Sequence, residues 1–296
     1  MVSHPTKWRT GALGPAARWV MRAVAGVVVL AALATATGAT PLPRVAAVGL
    51  CSDHYVLLLA APEQIASLSF QATGPLSPNR DLAAGFPTNR ASAEEMLFLD
   101  VDVVVMDAFR TAALSRMLER RGIPIVRVNS VATLDGVLET LLEVGQAIGR
   151  EERAQGVAAA LEARLAAVSA LEPTPLLAAY FRPDGGSAGP DTFVGEAMLH
   201  AGLRNLMAEL GINGWGRLSL EALILSPPDL FILSFFDTHW RSIVHRFANH
   251  PVFNRFLAQT PLVVVPGEYW PCAGPHLVDA IDHLASESRA LGLELR

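Results

Sequence analysis

The apolar positions of this chain follow two alternating rhythms. Short runs rich in valine and aliphatic residues, RVAAVGL at 44–50 and IASLSF at 65–70, enclose a longer stretch, DHYVLLLAAPEQ, that reads as a helix ending near Pro62. A polar loop bearing proline and glycine follows at 71–90, then a helix at Glu94, a strand DVVVMDAF, a helix at 112–121 and a strand at 123–128. Strands alternating with helices predict a parallel sheet covered on both faces. Residues 133–171 contain no proline, and apolar residues recur at helical spacing (Leu134, Val137, Leu138, Leu141, then Val157, Leu161, Leu165, Val168), with a break at Gly149. At 1.5 Å per residue the second piece, 151–171, is about 30 Å long, the length of a rigid connector. Beyond Pro173 the first pattern begins again. A strand at 176–181 leads to the glycine-rich loop RPDGGSAGPDT, a helix at 193–201, the Glu221 helix, the strand LFILSFF, a helix at 242–247, a strand at 262–267 and a closing amphipathic helix. The expected fold is α/β: two parallel-sheet lobes, 43–131 and 173–296, joined through connecting helices at 132–172, one of them long. Their ligand cleft lies where the loops at the strands' carboxyl ends converge.

One phrase occurs twice. SAEEMLFLDVDVVV at 92–105 and SLEALILSPPDLFIL at 219–233 each place a glutamate at the mouth of a short helix and an aspartate eight positions on, Glu94 to Asp102 and Glu221 to Asp229. A carboxylate there favours the positive end of the helix dipole by about 0.3 to 1 kcal/mol. Two matching charges on one rigid body also form a pair of contact points.

Composition narrows the classes. The 296 residues are 51% hydrophobic and 17% charged, so a sizeable core is available, and a net charge of −5 without a long basic stretch argues against nucleic-acid binding. Lys7, Arg9, Arg18 and Arg22 precede an uncharged run at 23–40. The strongly apolar part, 23–34, falls short of the roughly 20 residues that span a bilayer. Residues 1–39 are therefore read as a cleaved export signal, cut near ATA or TGA, with a membrane anchor as the alternative. Neither cysteine lies in a lipidation context, which makes the expected product a soluble periplasmic protein. Cys51 and Cys272 each follow a predicted strand, one in each half. Since sequence does not bring their Cα atoms within bridging range, two small, partly buried thiols are the preferred reading and a disulfide the alternative.

The stretches AEEMLFLDVDVVV and RGIPIVRV in the first half, LDGVLETLLEVGQAIGREERA in the connector, and GRLSLEALILSPPDLFIL, HPVFNRFLA and PLVVVPG in the second carry a resemblance. Over nearly all of the mature chain the protein resembles the ABC-transporter substrate-binding proteins of the iron-complex and cobalamin class. The resemblance implies two α/β lobes bridged by a long helix, a metal chelate or corrinoid as ligand, and no catalysis. It also implies a monomer that docks on a permease dimer with its ATPase. In that family a surface glutamate on each lobe meets arginine pockets of the permease, and the matching residues are Glu94 and Glu221.

The loops expected at the cleft supply the ligand candidates Tyr55, Phe70, Phe109, Arg110, Trp215, Phe235, Phe236, Trp240, Tyr269 and Trp270. The tryptophans after the export signal, Trp215, Trp240 and Trp270, all fall in predicted loops, and broad aromatic faces suit a large, flat ligand. The resemblance places a ligand-packing tryptophan at Trp215, and leaves cobalamin, haem and ferric siderophores all open. His54, Tyr55, His239 and Tyr269 carry metal-ligating groups, but no pair has ligand spacing on one helix, so no metal site and no resident cofactor are assigned. The alternative class is a periplasmic enzyme or sensor. CSDHY gathers a thiol, a carboxylate and an imidazole, yet the chain has no G-x-S-x-G elbow, no phosphate-cradling loop after the first strand and no H-E-x-x-H.

Overall fold

The computed structural model describes residues 41–108, 112–171, 175–235 and 249–292. The export signal expected at 1–39 and the helix expected at 242–247 lie outside the described residues. The first sheet contains β1 (Val45–Val48), β2 (Ile65–Ser69), β3 (Thr88–Asn89), β4 (Val103–Asp107) and β5 (Ile125–Val128). All its neighbours are parallel, in the order β3-β2-β1-β4-β5. Helices α1 (Leu50–Leu59), α2 (Arg80–Ala83), α3 (Ala93–Phe98) and α4 (Ala112–Arg120) connect these strands, and α5 (Leu134–Ala147) and α6 (Glu151–Ser169) lead onward. The remaining elements are β6 (Leu177–Phe181), β7 (Gly186–Ala188), α7 (Phe193–His200), β8 (Arg204–Asn205), α8 (Leu206–Glu209), β9 (Trp215–Arg217), α9 (Leu220–Leu225), β10 (Leu230–Ser234), α10 (Pro251–Gln259), β11 (Leu262–Val265) and α11 (Leu277–Ala290). The second sheet is also parallel, in the order β11-β10-β6-β8.

Side chains alternate across both sheets, as a two-residue period requires. In the first, Val45, Ala47, Val103 and Val105 face one core, while Ala46, Val48, Val104 and Met106 face another beneath α3 and α4. In the second, Ala178, Tyr180, Leu230 and Ile232 face inward, while Ala179, Phe181, Phe231 and Leu233 pack with Phe253 of α10. The inward faces of both sheets belong to one continuous core that also holds Leu141, Leu161, Leu277 and Leu284. The lobes thus share their largest apolar cluster, and residues 42–296 form one compact unit.

The connector is tied to both sides. Gly149, at φ 68°, closes α5 in a conformation that favours glycine, and α6 then runs back against α5 over 19 residues, about 28 Å at the standard rise. Near its start, Arg150 Nε donates to Leu59 O (3.1 Å) and Arg153 Nε to Leu58 O (3.2 Å), so two guanidiniums meet the last carbonyls of α1. Further along, Arg164 donates to Asp279 (2.7 Å) and to Asp282 on α11. Sequence patterning anticipated the long helix, but not that α5 and α6 both bury side chains in the shared core.

Two expectations need correction. Cys51 and Cys272 are not free thiols: they form a disulfide with Cα atoms 5.5 Å apart, joining the first turn of α1 to the loop after β11. Trp215 does not sit in an irregular loop; it starts β9, which pairs with β7 as an antiparallel ribbon through Ala188 opposite Trp215.

The native protein is expected to resist alkylation until reduced and then to take up two equivalents. Cys51→Ala with Cys272→Ala should lower unfolding free energy by roughly 2 to 5 kcal/mol in denaturant titrations, since the bridge closes a long loop. Two reactive thiols in unreduced protein would show that the pair is open.

Candidate ligand cleft and lobe contacts

Strand order singles out one position in each sheet. From β1 the chain first builds outward through β2 and β3, then returns to lay β4 and β5 on the other side; from β6 it adds β8 and then β10 and β11 opposite. The crevices of open α/β sheets lie at such reversals, outside the carboxyl ends of the strands. Here those ends are Gly49 and Asp107 in the first lobe and Arg182 and Phe235 in the second.

In the first lobe the reversal is built by Asp107. Helix α1 has no side-chain cap of its own, and Asp107 Oδ1 at the end of β4 accepts hydrogen bonds from Ser52 N (2.8 Å) and Ser52 Oγ (2.6 Å). The carboxylate occupies the space that a side chain at residue 49 would need, and Gly49 has φ 122°, so glycine serves there on both counts. One turn on, buried Asp53 accepts from Ser69 N (2.7 Å) at the end of β2. Asp53 belongs to the CSDHY group that the sequence singled out and Asp107 was not a named candidate; each acts by fixing the first turns of α1, which carry Cys51 and His54. In the second lobe, Arg182 lies 5.4 Å from the Phe235 ring centroid, and Phe235 holds φ 63°, a left-handed conformation uncommon for a bulky residue.

The expected ligand residues separate into three groups. Phe70, Phe235 and Tyr269 beyond the ends of β2, β10 and β11, and Trp215 on β9, keep exposed or half-buried side chains, with Arg90 5.4 Å from the Phe70 centroid. Tyr55 and Trp270 were expected to line the cleft and do not: both belong to the shared core, at 0% and 3% exposure. The reason is that α1 is buried on nearly every side around Tyr55, and that Trp270 packs against aromatic rings of its own lobe. Its ring centroid is 6.0 Å from Tyr180 and 6.3 Å from Phe193, and Phe193 in turn meets Trp215 edge-on at 5.3 Å. A row of rings therefore leads from the buried core to the exposed indole. Phe109, Arg110, Phe236 and Trp240 lie outside the described residues.

The carboxyl-end loops of the two lobes also touch directly. Beside the disulfide, Asn79 Nδ2 contacts His276 Nε2 (2.8 Å), Arg80 pairs with Glu268, and the His54 and His276 rings meet edge-on at 5.1 Å. His276 Nδ1 is in turn 2.7 Å from Asp279 Oδ2. His54 is buried, and neither of its ring nitrogens has a hydrogen-bond partner among the described residues. Burial, with repulsion from His276, holds it at a pKa of about 3. A separate groove of about 570 Å³ lies between Leu58 of α1, residues Glu152 to Arg164 of α6, and Pro275 to Asp279. None of the expected ligand residues lines it.

The repeated phrase folds the same way twice. Ser92 Oγ accepts from Glu95 N and Ser219 Oγ from Ala222 N, each at 3.1 Å, capping α3 and α9. The later aspartates clamp the first strand of each sheet: Arg44 N donates to Asp102 Oδ2 (2.7 Å) and Leu177 N to Asp229 Oδ2 (2.9 Å). Glu95 Oε2 accepts from Arg90 N (2.9 Å) and Ser92 N (3.0 Å), which holds its carboxyl below the usual range. Its neighbour Glu94 is exposed, as is Glu221, whose carboxyl is lowered by its own backbone amide and the Ser219 hydroxyl.

Two parallel sheets with their strand reversals brought together and a helical connector between them define a bilobal binding protein. A family model described as periplasmic binding protein matches residues 45–263, and the chain belongs to that family, one of binding proteins rather than enzymes. It is 27% identical over 164 residues to the cobalamin-binding protein of Halobacterium salinarum strain R1, a match covering 53% of this chain and 44% of that protein. Among solved structures it is similar to the haem-binding protein RhuT of Roseiflexus sp. RS-1 in apo form (21% identity, TM-score 0.63, 83% of this chain and 99% of that one). It is also similar to the haem-binding protein HutB of Vibrio cholerae (20%, 0.69, 83% and 98%). The vitamin B12-binding protein BtuF of Vibrio cholerae gives 15%, 0.63, 86% and 99%. These likenesses concern the fold.

Buried His54 makes the lobe contact sensitive to acid. Its folded pKa of about 3 lies below the ordinary 6.5, so between those values the unfolded chain takes a proton that the folded one refuses. Stability then falls as pH drops below 6.5, by up to about 1.4 kcal/mol per pH unit from this one group. His54→Leu should keep more of its neutral-pH stability at pH 4.5, by about 2 kcal/mol in denaturant titrations at both pH values. Identical pH profiles for the two proteins would remove His54 from the account.

Proposed function

We propose that this protein is the periplasmic substrate-binding component of an ABC importer. It captures an iron complex, a siderophore or haem, or cobalamin between its lobes and delivers it to a membrane permease dimer with its ATPase. The observation that carries the reading is the pair of equivalent helices, α3 and α9, each presenting an exposed glutamate beside the strand adjoining the first strand of its sheet. Two carboxylates fixed on one rigid body orient a partner as well as attract it, and a charge pair at a partly desolvated interface couples by about 1.5 to 7 kcal/mol. Family membership and the haem- and cobalamin-binding relatives support the ligand class. In this reading Phe70, Trp215, Phe235 and Tyr269 contact the ligand, while Tyr55 and Trp270 support the cleft from below.

Glu94→Ala with Glu221→Ala is expected to abolish uptake in a transport assay while ligand affinity and Tm stay near wild type. Normal uptake, or a large loss of ligand affinity, would defeat the docking role.

Trp215 is half exposed and braced by Phe193, the position of an indole that covers something. Absorption and tryptophan-fluorescence titrations with cyanocobalamin, haemin and a ferric hydroxamate should identify the ligand. For that ligand Trp215→Ala should weaken binding about tenfold to a hundredfold, the equivalent of about 1.5 to 3 kcal/mol of apolar contact. A sharp fall in Tm with affinity inside twofold would make Trp215 a packing residue.

A further inference from the structure

The two docking helices carry more than their carboxylates. In α3, Met96 is fully buried, and the next two residues point outward: Leu97 is 40% exposed and Phe98 90%. In α9, Leu223 is fully buried, and Ile224 and Leu225 are 61% and 82% exposed. Counted from each glutamate, the exposed pairs fall three and four positions on, the spacing at which helix side chains share a face. Each helix thus offers the same face twice over in the molecule: an acid followed by two large apolar side chains that its own lobe leaves in water. Both helices are six residues long, both are capped by a serine, and both feed the strand beside their sheet's first strand.

A phenylalanine and a leucine left almost wholly in water, at equivalent places in two lobes of different sequence, call for a cover. We propose that Leu97 and Phe98, and Ile224 and Leu225, are the apolar half of the docking surface. Each pair seats in an apolar socket next to the basic group that receives the glutamate, one socket on each permease subunit. This inference rests on the importer reading above and adds to it a division of labour. The occupant is a pair of equivalent surfaces because the presented face is duplicated, and it is basic because each face carries an acid. The carboxylates supply salt-sensitive orientation, whereas the apolar pairs supply affinity that salt does not screen. Burying such side chains at a contact contributes about tenfold to a hundredfold in affinity per large residue.

The test measures binding of the full protein to its own host's permease–ATPase complex in nanodiscs, at low and high salt. Phe98→Ser with Leu225→Ser is expected to weaken binding at least tenfold at both salt concentrations, with the wild-type salt slope retained and with Tm and ligand affinity unchanged. Glu94→Ala with Glu221→Ala is expected to flatten the salt slope. If the serine variant binds within threefold of wild type while the alanine variant does not bind, the apolar half is wrong and the importer reading stands. Wild-type protein that fails to bind the complex at all would defeat the importer reading itself. Sedimentation and liposome flotation complete the experiment. If wild type forms dimers, or floats with transporter-free vesicles, through Phe98 and Leu225, the faces belong to a second copy or to lipid and the inference is overturned.

Discussion

Everything in this molecule follows from the need to hold two open parallel sheets with their carboxyl ends in one fixed relation. Each sheet buries its outer face under its own helices, but the inner faces empty into a single apolar core that includes α1, α5, α6, α7 and α11. A cluster of that extent does not divide without exposing both halves to water, so the lobes are coupled by the hydrophobic effect before any specific bond is counted. The polar ties then select the geometry. Arg150 and Arg153 meet the end of α1, Arg164 meets α11, and the Cys51–Cys272 bridge closes the opposite margin beside His54 and His276. Lobes braced in this way hold α3 and α9 in a fixed relation, which the proposed docking on a permease requires.

The parts legible in the sequence are those whose signal is local. Strands β1, β4, β6 and β10 are buried on both faces and read as nearly continuous apolar runs, and Gly149 announces the break between α5 and α6. The repeat led directly to α3 and α9. What escaped is what depends on residues distant in the chain. Tyr55 and Trp270 look like loop-end aromatics suited to a ligand until packing buries both in the shared core, Trp270 against Tyr180 and Phe193. The disulfide joins residues 221 apart, beyond the reach of spacing arguments. The ribbon of β7 and β9 is three residues long and glycine-rich, with no period to detect. Asp107 is an unremarkable strand-end acid in sequence and becomes the cap of α1 only because β4 lies beside β1.

The repeated phrase also teaches that one motif serves two purposes without conflict. Its serine and its distal aspartate are structural, capping a short helix and clamping the first strand of the lobe. Its glutamate and the following exposed pair do nothing comparable for the fold. Structural duties fall on residues turned inward or toward backbone, and the outward face is left free to meet another molecule.

The bridge has a topological consequence as well as an energetic one. It turns 222 residues, Cys51 through Cys272, into a covalent ring, with β1 before it and α11 after it. A single peptide bond cut in any loop of that ring, the polar segment 71–90 or the glycine-rich segment after β6, opens the ring without releasing a fragment. In a compartment where proteases act without a reducing partner, the nicked protein remains one molecule with both lobes still attached.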